Sequence, residues 1–158
     1  MNLALGIDTS NYTTSLALYD AQAHEICQVK RLLPVKEGEK GLRQSDAVFH
    51  HVQQLPELMD KLWKPGCGKA LSAVGVSARP RDAEGSYMPC FLTGVGTARA
   101  VAAVTGVPLY ETSHQVGMCW RHCTLPASWE PVKNRFWRSM SAAARQILCT
   151  ANRTNRLP

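Results

Sequence analysis

Short apolar runs alternate with helical patterns along residues 1–117 of this chain. Five runs have the length and composition of strands, and they cover residues 3–7, 13–19, 26–33, 71–78 and 107–110. The first two flank turn-forming residues, so residues 3–19 predict a β-hairpin. Residues 71–78 have little polarity, which is typical of a central strand that is buried on both faces.

Two longer segments show the spacing of helices. Between residues 43 and 63, apolar side chains recur three and four positions apart, which predicts an amphipathic helix. Pro56 lies inside that pattern, and we expect it to kink the helix or to split it in two. Residues 90–105 are small and apolar, so they predict a tightly packed helix with Gly106 at its C-terminal cap.

A third helix is predicted after the last strand. Thr112 or Ser113 can accept hydrogen bonds from its first turn, which holds His114. The order along the chain is β-hairpin, β, α, β, α, β, α, and it predicts an α/β fold in which helices flank a mixed sheet. This order fits the first lobe of the ribonuclease H-like fold of the actin, sugar-kinase and Hsp70 superfamily.

The distribution of charge changes abruptly near residue 117. Residues 1–117 hold eleven basic and eleven acidic residues, whereas residues 118–158 hold seven basic residues and one acidic residue. The whole formal net charge of +6 therefore belongs to the second segment, together with three of the four tryptophans. Interleaved arginine and tryptophan are typical of an RNA-binding surface. An out-of-frame peptide would acquire the same charge by accident, and we favour that interpretation.

Composition indicates the compartment. No apolar run approaches the roughly 20 residues of a membrane span, and the N-terminus lacks the basic start and long apolar stretch of a signal peptide. The six cysteines are irregularly spaced, which favours free thiols in a reducing compartment over a disulfide framework. These features predict a cytoplasmic protein that makes no membrane contact.

Four segments carry a resemblance to the TsaD/Gcp family, and they are Gly6–Ser10, Arg43–Phe49, Gly94–Ala100 and Ser113–Gln115. Members of that family transfer a threonylcarbamoyl group to adenosine 37 of certain tRNAs. The resemblance implies that residues 1–117 are the N-terminal lobe of a Gcp-like domain. It also implies an acyltransferase activity, with ATP-derived threonylcarbamoyl-adenylate and tRNA as partners.

The same resemblance implies a substrate site and a metal site. The residues that would face the nucleotide or its phosphates follow the first strand, and they are Asp8, Thr9, Ser10 and Asn11. The family binds an iron or zinc ion through a His-x-x-x-His pair, and His114 occupies the first of these positions. Met118 occupies the second, and a thioether is a poor ligand for such ions. We therefore expect that this chain does not bind the metal ion of its family.

Other candidate ligands are weaker. His50 and His51 are adjacent, and adjacent side chains point about 100° apart on a helix, so we expect a solvated pair. Cys119, His122 and Cys123 resemble half of a zinc knuckle, but no second ligand pair lies at a suitable spacing. Neither group predicts a metal site.

Two departures from the family pattern indicate a divergent paralogue. Asn11–Thr13 stand where typical synthases have acidic residues, and Arg79–Ser86 replace a glycine-rich stretch.

The codons of the second segment permit another reading frame. If the frame is read from one base earlier, the bases that encode Met118, Cys119 and Trp120 permit histidine at the first position and require valine and leucine at the next two. In the same frame, Met140–Gln146 permits a Ser-Gly-Gly turn like the phosphate-binding turn of the family. We therefore predict that residues 118–158 are out of frame and poorly ordered. The chain would then lack a second lobe and would be inactive alone.

A non-catalytic binding role is the alternative. The superfamily includes half-length proteins of the bacterial TsaB type, which dimerise with the full enzyme through their first domain. A truncated first lobe resembles such a partner. Its exposed helix faces would need to be covered by another protein. The partner would then be a full-length homologue of this chain.

Overall fold

A computed structural model of the chain describes residues 3–10, 12–20, 22–23, 25–35, 38, 41–63 and 71–119. The strands within these ranges are β1 (Leu3–Asp8), β2 (Thr13–Asp20), β3 (Glu25–Leu32), β4 (Leu71–Arg79) and β5 (Leu109–Ser113). The helices are α1 (Gln44–Leu62), α2 (Cys90–Thr105) and α3 (His114–Cys119). The predictions for Asn11 and for residues 120–158 concern residues outside these ranges.

The five strands form one mixed sheet in the order β3-β2-β1-β4-β5. β1 pairs antiparallel with β2, and β2 pairs antiparallel with β3, which confirms the predicted hairpin. β4 pairs parallel with both β1 and β5. The sheet therefore joins residues 3–7 and 71–77 with the last strand, as predicted, although β5 begins at Leu109 and not at the predicted residue 107. β4 is a central strand.

The main core lies between one face of the sheet and the two long helices. Its strand side chains include Leu5, Ile7, Leu16, Leu18, Val74 and Val76, and its helix side chains include Leu55, Leu58, Leu62, Val95, Ala98 and Ala102. Full burial of one Val, Leu or Ile side chain stabilises a fold by about 1.5–3 kcal/mol. This layer holds α1 and α2 against the sheet and so fixes the strand ends that carry the site.

Pro56 does not divide the first long helix, which runs continuously from Gln44 to Leu62. Leu55, beside Pro56, and Leu58 are buried in the core, whereas Pro56 itself lies on the exposed side of the helix. Proline removes one backbone hydrogen bond, and on this side water can bond the carbonyl that is left free. Packing of the apolar stripe therefore keeps α1 in one piece.

The predicted helix caps are confirmed. Gly106 follows α2 with a φ of 70°, a left-handed conformation that glycine adopts without strain. β5 extends to Ser113, three residues beyond the predicted end, and the Ser113 hydroxyl then accepts the Val116 N–H at 3.2 Å. Ser113 thus ends a strand and caps α3. In the described part of the chain, no helix has the length and apolarity needed to cross a bilayer.

Candidate functional site at the carboxyl edge of the sheet

Polar side chains meet where the parallel strands end. β1, β4 and β5 run in the same direction, so their carboxyl ends lie at one edge of the sheet, where open α/β sheets commonly bind ligands. Asp8 is the last residue of β1, and His114 follows the last residue of β5. Ser77 lies near the end of β4, between them.

Asp8 is the centre of this edge, and its side chain is only 1% exposed. Its Oδ1 atom accepts the Ser10 N–H at 3.0 Å and the Ser10 hydroxyl at 2.5 Å. Its Oδ2 atom accepts the Ser77 hydroxyl and lies 2.9 Å from Nδ1 of His114. The carboxylate therefore has four partners, as a buried charge requires.

The environment of Asp8 favours its ionised form. Burial alone raises the pKa of this carboxyl, but the hydrogen bond and charge of His114 oppose that effect, as do the Ser10 and Ser77 hydrogen bonds. The net result is a pKa below the ordinary value of 3.8. Because a carboxylate only accepts hydrogen bonds, Nδ1 of His114 is the donor. Asp8 thereby fixes the orientation of the His114 ring, which is 28% exposed.

Thr9 connects the edge to α2. Its side chain is fully buried. Its hydroxyl donates to the Cys90 carbonyl at 2.9 Å and accepts the Gly94 N–H at 3.2 Å. A Cβ atom on Gly94 would lie 2.7 Å from the Thr9 hydroxyl oxygen. The hydroxyl is therefore occupied by α2, and the idea that Thr9 faces a nucleotide stays a prediction.

Ser10 lies at the start of the turn between β1 and β2. Its N–H and hydroxyl both bind Asp8, and its carbonyl accepts the Thr13 N–H at 3.1 Å. Ser10 is half-buried at the surface of the edge. Asn11 is outside the described residues, so its role as a substrate residue also stays a prediction.

The four segments that carry the family resemblance meet at this edge. The first contributes Asp8 and Thr9, and the last contributes His114, which binds Asp8. The third contributes Gly94, whose N–H binds Thr9. The second contributes Gln44, whose Oε1 atom accepts the backbone N–H of Cys90 at 3.4 Å. Segments that are distant in the sequence are therefore linked by hydrogen bonds through Asp8, Thr9 and Cys90.

The loop after β4 lies beside His114. The Pro80 carbonyl accepts the Gln115 N–H at 2.9 Å, so the loop contacts the first turn of α3. Within the loop, Arg79 forms an exposed ion pair with Asp82 at 2.5 Å. The backbone N–H of Arg81 donates to the Ser86 hydroxyl at 3.1 Å. The segment that replaces the glycine-rich stretch of the family is thus an ordered turn at the same edge.

His51 is a site residue that the sequence interpretation missed. We expected a solvated His50–His51 pair, and this expectation is wrong for His51, which is fully buried. The physical reason is its place on α1, four residues before Leu55 and seven before Leu58, so it continues the buried stripe. Its Nδ1 atom lies 2.8 Å from the Thr14 hydroxyl, at the start of β2.

The donor set of the edge was tested against the metal ion that the resemblance implies. His114 is held by Asp8 through Nδ1, which leaves Nε2 for a ligand, as in metal sites where a carboxylate orients the histidine. Within the described residues, however, no group of three or more His, Cys, Asp or Glu side chains could hold an ion. A protein metal site needs about three such ligands, so the described residues do not form one.

Comparisons with known proteins define the fold class. No protein-family model and no curated protein sequence matches the chain. YeaZ from Pseudomonas aeruginosa is similar in structure, with a TM-score of 0.50 and 15% identity, over 77% of this chain and 50% of that one. RuvC from Thermus thermophilus has a TM-score of 0.50 and 15% identity, over 97% of this chain and 95% of that one.

These likenesses, at low sequence identity, concern the fold. The chain has a ribonuclease H-like α/β fold, in which helices flank a mixed five-stranded sheet, and the prediction of this fold class is confirmed. The chain spans half the length of YeaZ. These likenesses therefore establish the fold and not an activity.

Proposed function

We propose that residues 1–117 are the first lobe of a TsaD/Gcp-like threonylcarbamoyl transferase. The observation that carries this proposal is the 2.9 Å contact between Asp8 and His114. The resemblance assigns Asp8 to the substrate site and His114 to the metal site. Their contact at the carboxyl edge supports a single site built from both segments.

The contacts around Asp8 support the same proposal. Gly94 and Gln44 come from the two other segments of the resemblance, and they contact Thr9 and Cys90, at the base of the edge. A chance match of short segments would have no reason to link all four through hydrogen bonds of Asp8, Thr9 and Cys90. The geometry thus supports a shared ancestry of the site with that family.

The proposed roles of the described residues are limited to positioning. Asp8 holds the His114 ring through Nδ1, and Ser10 and Ser77 hold the Asp8 carboxylate. In the parent family, a bound iron or zinc ion supplies Lewis-acid activation of the carbonyl that is transferred. The described residues supply one histidine toward such an ion, so we propose that this chain alone does not catalyse the transfer.

The test is a transfer assay with labelled threonylcarbamoyl-adenylate and tRNA. We expect no transfer by the 158-residue chain. We expect transfer by the protein that is encoded when the earlier frame is restored after codon 117. In that protein, His114→Ala should abolish transfer, whereas His50→Ala should not. Activity of the 158-residue chain, or an active restored His114→Ala protein, would refute the proposal.

A binding role is a second candidate, and exposed apolar side chains on α1 favour it. Phe49 and Val52 are 57% and 55% exposed, and they lie three residues apart on one helix face. Such a face suits a helix of another protein. The partner we propose is a full-length TsaD/Gcp homologue.

Size-exclusion chromatography with such a homologue tests the binding role. A complex should form with the natural chain and should weaken on Phe49→Ser. Val104→Ser is the control, because Val104 is 88% exposed but lies on α2. Absence of any complex at high protein concentration would exclude this role and leave the transferase proposal unaffected.

A further inference from the structure

A buried polar network joins α1 to the start of β2. The His51 ring lies 2.8 Å from the Thr14 hydroxyl through Nδ1, and that hydroxyl lies 2.8 Å from Oε1 of Gln54. The amide nitrogen of Gln54 donates to the Leu32 carbonyl at 3.2 Å, at the end of β3. His51 and Thr14 are fully buried, and Gln54 is nearly so. The network therefore connects one helix to two neighbouring strands.

The contacts of Gln54 determine the proton on His51. Since the amide nitrogen of Gln54 faces the Leu32 carbonyl, its oxygen faces Thr14. Thr14 has one hydroxyl proton and donates it to that oxygen, so it must accept from Nδ1 of His51. His51 therefore carries a proton on Nδ1. Its Nε2 atom is a buried lone pair that has no hydrogen-bond partner in the described part of the chain.

Burial also favours the neutral form of the His51 ring. It lowers the pKa of His51 from 6.5 to about 4, against an opposing effect of the Asp8 carboxylate and together with an effect of His50. The ring is thus neutral near physiological pH. A leucine would fill this site without burying a lone pair, but it could not donate a hydrogen bond to Thr14.

The turn between β1 and β2 is held at both ends by side-chain contacts. Thr9, directly after Asp8, binds the Cys90 carbonyl and the Gly94 N–H of α2. Thr14, on the other side of the turn, binds His51 of α1. The two helices therefore contact both sides of the turn from which Ser10 binds the Asp8 carboxylate.

We propose that His51 is a positioning residue for this edge, and that its Nδ1–H bond to Thr14 fixes the turn from which Ser10 binds the Asp8 carboxylate beside His114. The role does not involve contact with a substrate. The proposal goes beyond the transferase function, because it rests on the contacts of the turn. It applies whichever ligand binds at the edge.

The first test is the protonation state of His51 in the 158-residue chain. Long-range ¹H–¹⁵N correlation spectra resolve both ring nitrogens of each of the five histidines, and the His51→Asn spectrum assigns the missing signal. We expect the proton on Nδ1 and none on Nε2 at neutral pH. A proton on Nε2, or a charged ring, would overturn the proposal.

The second test is the position of the turn, read from the Ser10 amide and His114 ring resonances. His51→Ala and Thr14→Val should both shift these resonances. His50→Ala is the matched control, because it removes the neighbouring ring from the same helix, and it should leave them in place. His51→Asn should restore values close to those of the natural chain, because the asparagine amide reaches the position of Nδ1 and can donate to Thr14.

Amide dispersion of the buried β4 residue Val76 shows which variants are folded. If His51→Ala is unfolded, Thr14→Val and His51→Asn decide the question. Unchanged Ser10 and His114 resonances in folded His51→Ala or folded Thr14→Val would overturn the proposal. A folded His51→Asn variant whose turn resonances remain displaced would overturn it as well. Displacement in the first two variants with recovery in the third would support it.

Discussion

Nδ1 of His114 lies 2.9 Å from Oδ2 of Asp8, although 106 residues separate them in the chain. The contact joins the end of the first strand to the start of the last described helix. It forms because β1, β4 and β5 are parallel and finish at one edge. The parallel strands therefore bring together the two residues of the proposed site.

Removal of the negative charge of Asp8 should destabilise the folded chain. Asp8→Asn turns one carboxylate oxygen into an NH2 group, so either the Ser10 N–H loses its acceptor or the Ser77 hydroxyl and the His114 Nδ1–H lose theirs. We expect a loss of about 1–3 kcal/mol in the free energy of unfolding, measured in urea at neutral pH. Asp60→Asn, on the exposed side of α1, should change it by less than about 0.5 kcal/mol. Equal effects of the two substitutions would contradict the structure.

A methyl group at Gly94 should disturb the contact between α2 and Thr9. The new Cβ atom would lie 2.7 Å from the Thr9 hydroxyl oxygen and 3.4 Å from a methyl carbon of Ile7. Both neighbours are fully buried, so neither can move cheaply. We expect Gly94→Ala to cost about 1–3 kcal/mol of stability.

Gly96 provides the control on the same helix. Nothing lies within 4 Å of a Cβ atom built there, and alanine is a better helix former than glycine. Gly96→Ala should therefore stabilise the chain by up to about 1 kcal/mol. Thermal unfolding of both variants tests the pair, and a neutral or stabilising Gly94→Ala would show that α2 does not pack as described.

Stability should fall as the pH is lowered through the ordinary range of histidine. Burial lowers the pKa of His51 from 6.5 to about 4. Between these values the unfolded chain binds a proton that the folded chain does not, so stability present above the unfolded pKa is lost as the pH falls. The loss ends once the folded ring is protonated. From this residue we expect about 2 kcal/mol less stability at about pH 5 than at about pH 8.

His51→Asn isolates that contribution, because asparagine does not titrate. Urea unfolding at the two pH values gives, for each protein, the change in the free energy of unfolding between them. This change should be larger for the natural chain than for His51→Asn. Equal differences would mean that His51 titrates normally in the folded chain and is not buried as described.

The order of the elements along the chain and the hairpin could be predicted from the sequence because local patterns determine them. Turn residues at 8–12 predict a hairpin, and the nonpolar run at 71–78 predicts a central strand. The sheet contains both. Pro56 was harder to interpret, because its local effect opposes the packing of the whole apolar stripe. The packing of the apolar stripe outweighs the effect of Pro56, and α1 is continuous.

The partners of the site residues could not be predicted, because they depend on contacts between distant segments. Asp8 and His114 were assigned separately by resemblance, and only the sheet brings them together. Ser77 gave no signal in the sequence. His51 did give one, since it lies four residues before Leu55 on the apolar stripe, but its polarity and its neighbour His50 favoured a solvated interpretation.

A second histidine on α3 should increase the affinity for zinc. Positions 114 and 118 lie one helical turn apart in α3, so the backbone places them on one face. Met118→His should therefore increase zinc affinity by at least about tenfold, measured by competition with a chelating dye. Gln115→His adds a histidine on a different face and should have a much smaller effect. Equal effects would contradict the placement of positions 114 and 118 on one face of α3.

Whether residues 1–117 are the first lobe of a longer TsaD/Gcp-like enzyme is tested most directly by the nucleotide sequence that follows codon 117. We predict that the frame one base earlier stays open, encodes histidine in place of Met118 and a Ser-Gly-Gly turn in place of Ala142–Ala144, and continues into a second lobe. A stop codon soon after codon 117 in that frame would contradict the proposal, as would a codon there that excludes histidine.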